Sequence, residues 1–414
     1  MQKLLLATVS SFAMFLPNQA HAQEPIKIGV LATLKGAYTV LGEDTVRGAQ
    51  AALDIHGKTI GDNSVELVIE SVDTTTQSAI NAARKLLDKK VHIIVGPLSS
   101  DQGEAIKEFS KKNAKATFLN GISGAVETTY VSPSENFFRF NTDNVQWSAG
   151  LGDYVFNHKS YKKIATVAED YAFNYAQLFG FETEYCAAGG EISKRHWVAL
   201  GERDYTDAIS NIEAGVDAIY LGLSGTDAIR FAKQYKASGG TAKFVGSSIT
   251  VDGALFNAPE EVKSLFLGMP SSGPQADTWG DKKWQDYVKA YKNSFPPEQR
   301  FLGPSILATG YYNATSAALM CLQKVEGDLS DGHSKFRQCL STLVLDAPNG
   351  QVKLDENRQA IANNYVSEIV QQDDGSLAKK LVGIRENVNQ TLGLSKEAYD
   401  AFGLPARDQK ACVN

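Results

Sequence analysis

The sequence predicts an α/β protein made of two lobes, each wound around a largely parallel sheet. Three observations carry that reading. Short apolar runs alternate with helical patterns of about ten residues, the signature of βαβ units. The alternation runs through one set of units and then begins again near Trp147. The chain also has 414 residues, more than one hydrophobic core organises, which suits two domains.

The elements follow in order. Ile26-Lys27-Ile28-Gly29-Val30-Leu31 is an apolar run that ends in a Gly-containing loop. A helical pattern from Glu43 to Ile55 sets Val46, Ala49 and Leu53 on one face. Val65–Ile69 reads as a strand, and Ser78–Leu87 as a helix capped by Ser78. Ile93–Val95 is a strand, Asp101–Lys112 a helix and Ala116–Leu119 a strand. In the second set, Trp147–Asn157 reads as a helix, Ile164–Val167 as a strand and Tyr175–Cys186 as a helix. Asp204–Asp207 caps a helix that runs to Ile212. Ala218–Leu221 is a strand, Asp227–Ala237 a helix and Phe244–Gly246 a strand. Helices are expected at Asp281–Asn293 and Ile306–Val325. Gln351–Leu354 and Tyr365–Val370 read as antiparallel strands, with Asp373-Asp374-Gly375 as a turn. From Gly393 on the chain is turn-rich and is expected to wrap the surface.

The first 22 residues form a secretory signal: Lys3, an apolar stretch from Leu4 to Leu16, then Ala20-His21-Ala22 with small residues where a signal peptidase reads. Cleavage is expected before Gln23. The apolar run is too short for a membrane anchor, and no Cys stands at the cleavage point to carry lipid. The mature chain is therefore expected to be soluble and outside the cytoplasm. Its composition is ordinary, 43% hydrophobic and 21% charged, with a formal net charge of −6. That balance argues against nucleic acid or an anionic membrane surface as the main partner.

Cys186, Cys321, Cys339 and Cys412 allow three pairings in an oxidising compartment. Cys321 and Cys339 sit in helical segments joined by the polar turn Gly327–Gly332, which favours their bridge as an antiparallel helix pair. Cys186–Cys412 then ties down the tail. A metal site is not expected, because no C-x-x-C occurs and the six His are scattered. No cofactor is expected either: the chain has no Walker loop and no G-x-G-x-x-G.

Ligands of open parallel sheets bind beyond the carboxyl ends of the strands. Three such loops stand out: Gly96-Pro97-Leu98-Ser99-Ser100, Asn120-Gly121-Ile122-Ser123-Gly124-Ala125, and Gly222-Leu223-Ser224-Gly225-Thr226. A helix start with a free hydroxyl suits a carboxylate, since unpaired N–H groups point outward there. The competing role for Ser100, Ser123 and Ser224 is helix capping. Tyr38, Tyr171, Phe173, Tyr175 and Trp147 lie near these loops. Packing is the preferred role for Trp147 and Tyr175, and Arg139 is expected in a structural salt bridge rather than as a ligand clamp. Neither Ser123 nor Ser224 completes a G-x-S-x-G elbow.

Taken in order, Ile28–Gly36, Leu41-Gly42, Arg47-Gly48-Ala49, Val95–Ser100 and Glu169–Phe173 resemble the periplasmic leucine/isoleucine/valine-binding proteins. The resemblance covers nearly the whole mature chain. It implies a type I periplasmic binding protein: two doubly wound parallel-sheet lobes joined by a three-strand hinge, with the ligand cleft between them. It further implies lobe 1 from 23–143 plus 274–347, lobe 2 from 144–273 plus 348–392, and a tail from 393–414. By the same resemblance the carboxylate-binding Ser falls on Ser100, the next loop on Gly121 and Ser123, and an opening-loop aromatic on Leu41. A second-lobe aromatic falls on Tyr171 or Phe173, and a further Tyr on Ser224. The acid that pairs with a ligand ammonium falls on Ser248, within Ser247-Ser248-Ile249-Thr250-Val251-Asp252. A buried ammonium without a carboxylate is costly, so either Asp252 reaches in or the ligand lacks the ammonium.

The implied function is a monomeric periplasmic substrate-binding subunit of an ABC importer of the branched-chain-amino-acid type, partnered by a membrane permease. It captures a small carboxylate, an amino acid or an aromatic or aliphatic acid, and catalyses nothing. A ligand sensor feeding a membrane receptor is the alternative. A secreted serine hydrolase acting through Ser123 or Ser224 is a remote one.

Overall fold

A computed structural model of the chain describes residues 24–36, 38–251, 253–409 and Cys412. The expected signal segment 1–22 and Asp252 lie outside the described residues.

Two sheets organise the molecule. The first has six strands in the spatial order Thr59–Ile60, Asn63–Val72, Ile26–Thr33, Ile93–Val95, Thr117–Leu119 and Phe137–Phe138. All neighbours are parallel except Thr59–Ile60, which pairs antiparallel with Asn63–Val72. Side chains alternate faces along a strand. Ile28, Val30 and Ala32 accordingly pack into one core with helix Ile306–Lys324, while Leu31 enters a second core with Leu86, Ile106 and Phe118. Helix Thr39–His56 lies along Ile306–Lys324 on the first of these faces.

The second sheet has nine strands. Glu191–Val198, Lys163–Glu169, Ala218–Gly222, Lys243–Gly246 and Pro270–Gly273 run parallel, in that spatial order. Ala360–Gln371 joins antiparallel and carries Gly350–Leu354 with Leu345–Ala347 beyond it, and Leu377–Val388 beside it. Its two faces bury Val167, Ile219 and Leu221 on one side and Ile164, Tyr220 and Val245 on the other.

The elements depart from expectation at a few points. Trp147–Asn157 is not one helix. A 3-10 turn covers Gln146–Ser148, Gly150 takes a left-handed φ of 85°, and an α-helix starts only at Leu151. Glu191–Val198 and Leu377–Val388 are strands that the periodicity did not reveal, because their outer faces are polar. Thr75, not Ser78, caps its helix, its hydroxyl accepting from the Ser78 N–H at 3.2 Å.

The chain crosses between the sheets three times, after Phe138, after Gly273 and after Thr342. The strands around 345–362 hydrogen-bond into the second sheet, yet Leu345, Ala347, Val352 and Ala360 pack into the core of the first. Arg139 joins these segments. It is fully buried, with Nη1 donating to Ala125 O at 2.6 Å, Nη2 to Thr129 Oγ1 at 2.6 Å and Nε to Gln359. Asp143 lies 3.6 Å from its guanidinium. Burial lowers the Arg139 pKa to about 10, against the opposing pull of Asp143. The expected structural salt bridge of Arg139 is thus present. Both disulfides form as well: Cys321–Cys339 joins two successive helices, and Cys186–Cys412 holds the tail. No helix among the described residues is long and apolar enough to cross a membrane.

Candidate ligand site between the lobes

The first lobe offers two strand-end loops. Ile93–Val95 runs into Gly96-Pro97, and the helix Ser100–Lys111 starts directly after Ser99. Ser99 occupies the capping position without a side-chain cap bond, and its Oγ is buried with no partner among the described residues. Ser100 is half-buried at the first helical position, where backbone N–H groups have no intrahelical acceptor. The neighbouring loop is tied to this one by the Ile122 N–H donating to Pro97 O at 3.2 Å. Gly121 leaves no room for a side chain, since a β-carbon would lie 2.3 Å from Tyr311 Cε2.

Ser123 does not stand beside Ser100 as a free hydroxyl. It is 1% exposed and donates to Asn120 Oδ1 at 2.5 Å. Asn120 returns a hydrogen bond from Nδ2 to Ser123 O at 2.9 Å and gives another to Asn141. The Ser123 hydroxyl, expected to face a ligand, here gives its proton to Asn120 and braces its own loop under helix Ser100–Lys111. Leu41 is half-buried in the first turn of helix Thr39–His56.

The second lobe contributes an aromatic row. Tyr171 precedes helix Ala172–Ala187 and stacks on Phe173 with centroids 5.9 Å apart. Phe173 meets the Trp147 ring edge-on at 6.2 Å and packs against the first lobe's core. Burial holds the Tyr171 hydroxyl far above the usual tyrosine range, with Glu169 and the first lobe's Tyr38 adding to the effect. Tyr175 packs edge-on against Trp197 and donates to Asp170 Oδ1 at 2.5 Å. Its expected packing role, like that of Trp147, matches its surroundings.

Glu169 is the residue that sequence reasoning missed as a separate group. It ends strand Lys163–Glu169, is fully buried, and accepts from the Ser224 N–H at 3.1 Å through Oε1. Its Oε2 has no partner among the described residues. Burial raises its pKa to about 7, and Asp227 pushes the same way. Ser224 caps helix Gly225–Ala237 by position, without a side-chain cap bond. A carboxylate at the carboxyl end of a parallel strand was the available signal.

Ser248 lies further along, toward the hinge. Its N–H donates to Gln177 Oε1 at 3.2 Å, while its Oγ is buried without a partner among the described residues. It lines a small cavity with Ser271, Ser367 and Lys379 of the second sheet and Ile306 of the first lobe. The Asp252 alternative lies outside the described residues.

The chain is similar to known proteins over most of its length. The family described as "Periplasmic binding protein" matches residues 25–376. A Leu/Ile/Val-binding protein homolog 6 of Brucella melitensis is 23% identical over 390 residues, covering 92% of this chain and 96% of that protein. An ABC transporter substrate-binding protein from Sphaerobacter thermophilus superposes with a TM-score of 0.81 at 26% identity, covering 88% of this chain and 99% of that one. A solute-binding protein of an ABC transporter from Rhodopseudomonas palustris BisB5, in complex with 3,4-dihydroxybenzoic acid, gives a TM-score of 0.77 at 22% identity, with coverage of 88% and 98%. With a family match across both sheets and their crossings, the chain belongs to the periplasmic binding protein family.

Proposed function

We propose that this chain is the extracytoplasmic substrate-binding subunit of an ABC importer of the branched-chain-amino-acid type. It captures a small carboxylate by closing its two lobes, and its cleft-mouth surfaces contact a membrane permease. The observation that carries the ligand class is a pair of unlike groups, one at the strand ends of each lobe. One is the helix start at Ser100, with Gly121 beside it, and the other is the stacked pair Tyr171–Phe173, backed by the buried Trp147 ring. The first suits an anionic oxygen pair; the second suits an apolar or aromatic body. Ser224 and Leu41 complete the proposed lining.

Within that class, an aromatic or aliphatic acid without an α-ammonium is favoured. Ser248 is neutral, and desolvating an amine beside it would go uncompensated. The Rhodopseudomonas neighbour holds such an acid. One observation supports an amino acid instead: the unpartnered Oε2 of Glu169 is a carboxylate oxygen close to Tyr171. The Brucella relative's name points the same way.

A thermal-shift screen of amino acids, aromatic acids and short aliphatic acids tests the class. A ligand at about 100 times its Kd raises stability by about 2.7 kcal/mol. Calorimetry with phenylalanine against 3-phenylpropanoate then separates the two readings, and tighter binding of the amino acid overturns the favoured one. A panel with no carboxylate hit overturns the class itself. Stimulation of a cognate importer's ATPase distinguishes transport from sensing. A hydrolase reading has little to stand on: the Ser123 hydroxyl is donated to Asn120, and no His bonds to Ser123 or Ser224 among the described residues. Periplasmic placement is tested by sequencing the exported chain, whose first residue is expected to be Gln23.

A further inference from the structure

After the last strand, Leu377–Val388, the chain does not simply end on the second lobe. It runs across to the first lobe and back. Gln390 is 3% exposed, and its Nε2 reaches Val126 O at 3.1 Å, Thr129 Oγ1 at 3.2 Å and Asp143 Oδ2 at 2.7 Å. Helix Lys396–Phe402 follows, capped by Ser395. Its Tyr399 is 1% exposed and stands between two rings: Tyr130 of the first lobe at 5.3 Å and Phe179 of the second at 5.6 Å. Tyr130 donates its hydroxyl to Asp400, and Lys396 Nζ lies 5.0 Å over the Tyr130 ring. Further on, Arg407 Nε donates to both oxygens of Asp170 at 3.0 and 2.9 Å, and Arg195 donates to Gln409 O. Cys412 then closes the disulfide to Cys186 on helix Ala172–Ala187.

The attachment points are informative. Val126, Thr129 and Tyr130 directly follow the Gly121–Ser123 loop, while Phe179 and Cys186 share the helix that follows Tyr171. We propose that Asn389–Gln409, held at its far end by the Cys186–Cys412 bridge, is a tie between the lobes that limits how far the cleft opens, and that Arg407 is a positioning residue for the Tyr171 wall. A rotation that parts helix Glu127–Tyr130 from helix Ala172–Ala187 has to pull Tyr399 from one of its two aromatic partners. The disulfide and Arg407 hold the second-lobe end, so strain falls on the first-lobe contacts of Tyr399 and Gln390. Arg407 and Asp170 are both partly exposed, at 50% and 33%, so their pair adds little to global stability. Its effect is local: Asp170 is bonded to Tyr171 in the chain, and the Arg407 Nε–H, shared between both Asp170 oxygens, holds that backbone in place. This inference goes beyond the proposed ligand and does not depend on its identity.

The test uses the full-length mature chain without ligand. Small-angle scattering compares wild type with Tyr399→Ala and with the double variant Cys186→Ser, Cys412→Ser. Both variants are expected to show a larger radius of gyration and a longer distance distribution. Scattering unchanged from wild type, with only the melting temperature lowered, overturns the tie. If Tyr399→Ala fails to fold, the cysteine variant decides. For Arg407, hydrogen exchange at amides 169–173 is expected to speed up in Arg407→Ala and return toward wild type in Arg407→Lys. No change there, or an equal change across the molecule, overturns the positioning role.

Discussion

Gly103 faces Ser123 so closely that a β-carbon on it would lie 1.9 Å from Ser123 Oγ. The helix that opens at Ser100 therefore rests on the loop that carries Gly121, and the two strand-end loops act as one rigid wall. Gly103→Ala is expected to destabilise the fold by about 1–3 kcal/mol, the range for an overpacked core. Ser123→Ala loses the bond to Asn120 and should cost about 1 kcal/mol in stability. Urea denaturation of the two variants measures both. A neutral Gly103→Ala contradicts the close packing.

Ser100→Ala is expected to act on binding instead. Loss of a hydrogen bond to a charged group weakens affinity by roughly 1–3 kcal/mol. Calorimetry with the best carboxylate from the thermal-shift panel reads this directly. Unchanged affinity places the carboxylate elsewhere.

Glu169 makes stability depend on pH in a direction opposite to that of most surface carboxylates. Its folded-state pKa, about 7, lies above the ordinary 4.5. Between those values the folded chain holds a proton that the unfolded chain has released. Stability from this group is thus full below the unfolded value and falls as pH rises through about 7. Other groups titrate as well, so the informative quantity is the difference between wild type and Glu169→Gln. Denaturation at pH 5 and pH 8 should show a smaller fall in stability with rising pH in the variant. An equal fall in both proteins rules out this titration.

Arg139→Met leaves Asp143 buried without its cation and strands the Ala125 carbonyl oxygen, while Thr129 and Gln359 keep their bond to each other. Removing one partner of a buried pair costs about 3–5 kcal/mol. Thermal unfolding should show the loss, and a wild-type melting temperature would contradict it.

Removal of Cys321–Cys339 is expected to cost about 3 kcal/mol, since the bridge closes a loop of 18 residues. Denaturation of the double serine variant measures it. Peptide mapping without reductant should find both cysteines linked.

The parts legible in the sequence are those set by strong periodicity and by chain geometry. Ile93–Val95 and Ala218–Leu221 are uninterrupted apolar runs, as a strand covered on both faces requires, and both were found. The helical pattern around Cys321 and Cys339, with one polar turn between, was enough to pair them. Leu377–Val388 escaped because Lys379, Lys380, Arg385 and Glu386 break any apolar alternation; such polar faces are what an edge strand needs. Ser123 is ambiguous in the sequence because a small hydroxyl residue in a glycine-rich loop serves equally well against a ligand or against its own loop. The bond it gives to Asn120, three residues away, exists only in the folded loop and leaves no mark in the order of residues. Glu169 was hidden by its neighbours: in Glu169-Asp170-Tyr171, nothing in the order of residues says which acid turns inward and which meets Arg407.

The helix Ile306–Lys324 fills one face of a sheet whose six strands are complete by Phe138. Tyr311 reaches Leu31 O across 280 positions of chain. A ribosome therefore releases all of the first sheet long before the helix that covers it, and a nascent N-terminal half carries an unsealed apolar surface. Neither lobe can mature as a separate unit in the order of synthesis. Closing contacts of such sequence span is slow. The topology thus delays locking until the polypeptide is nearly whole, which keeps it threadable for any machinery that must move it as an extended strand.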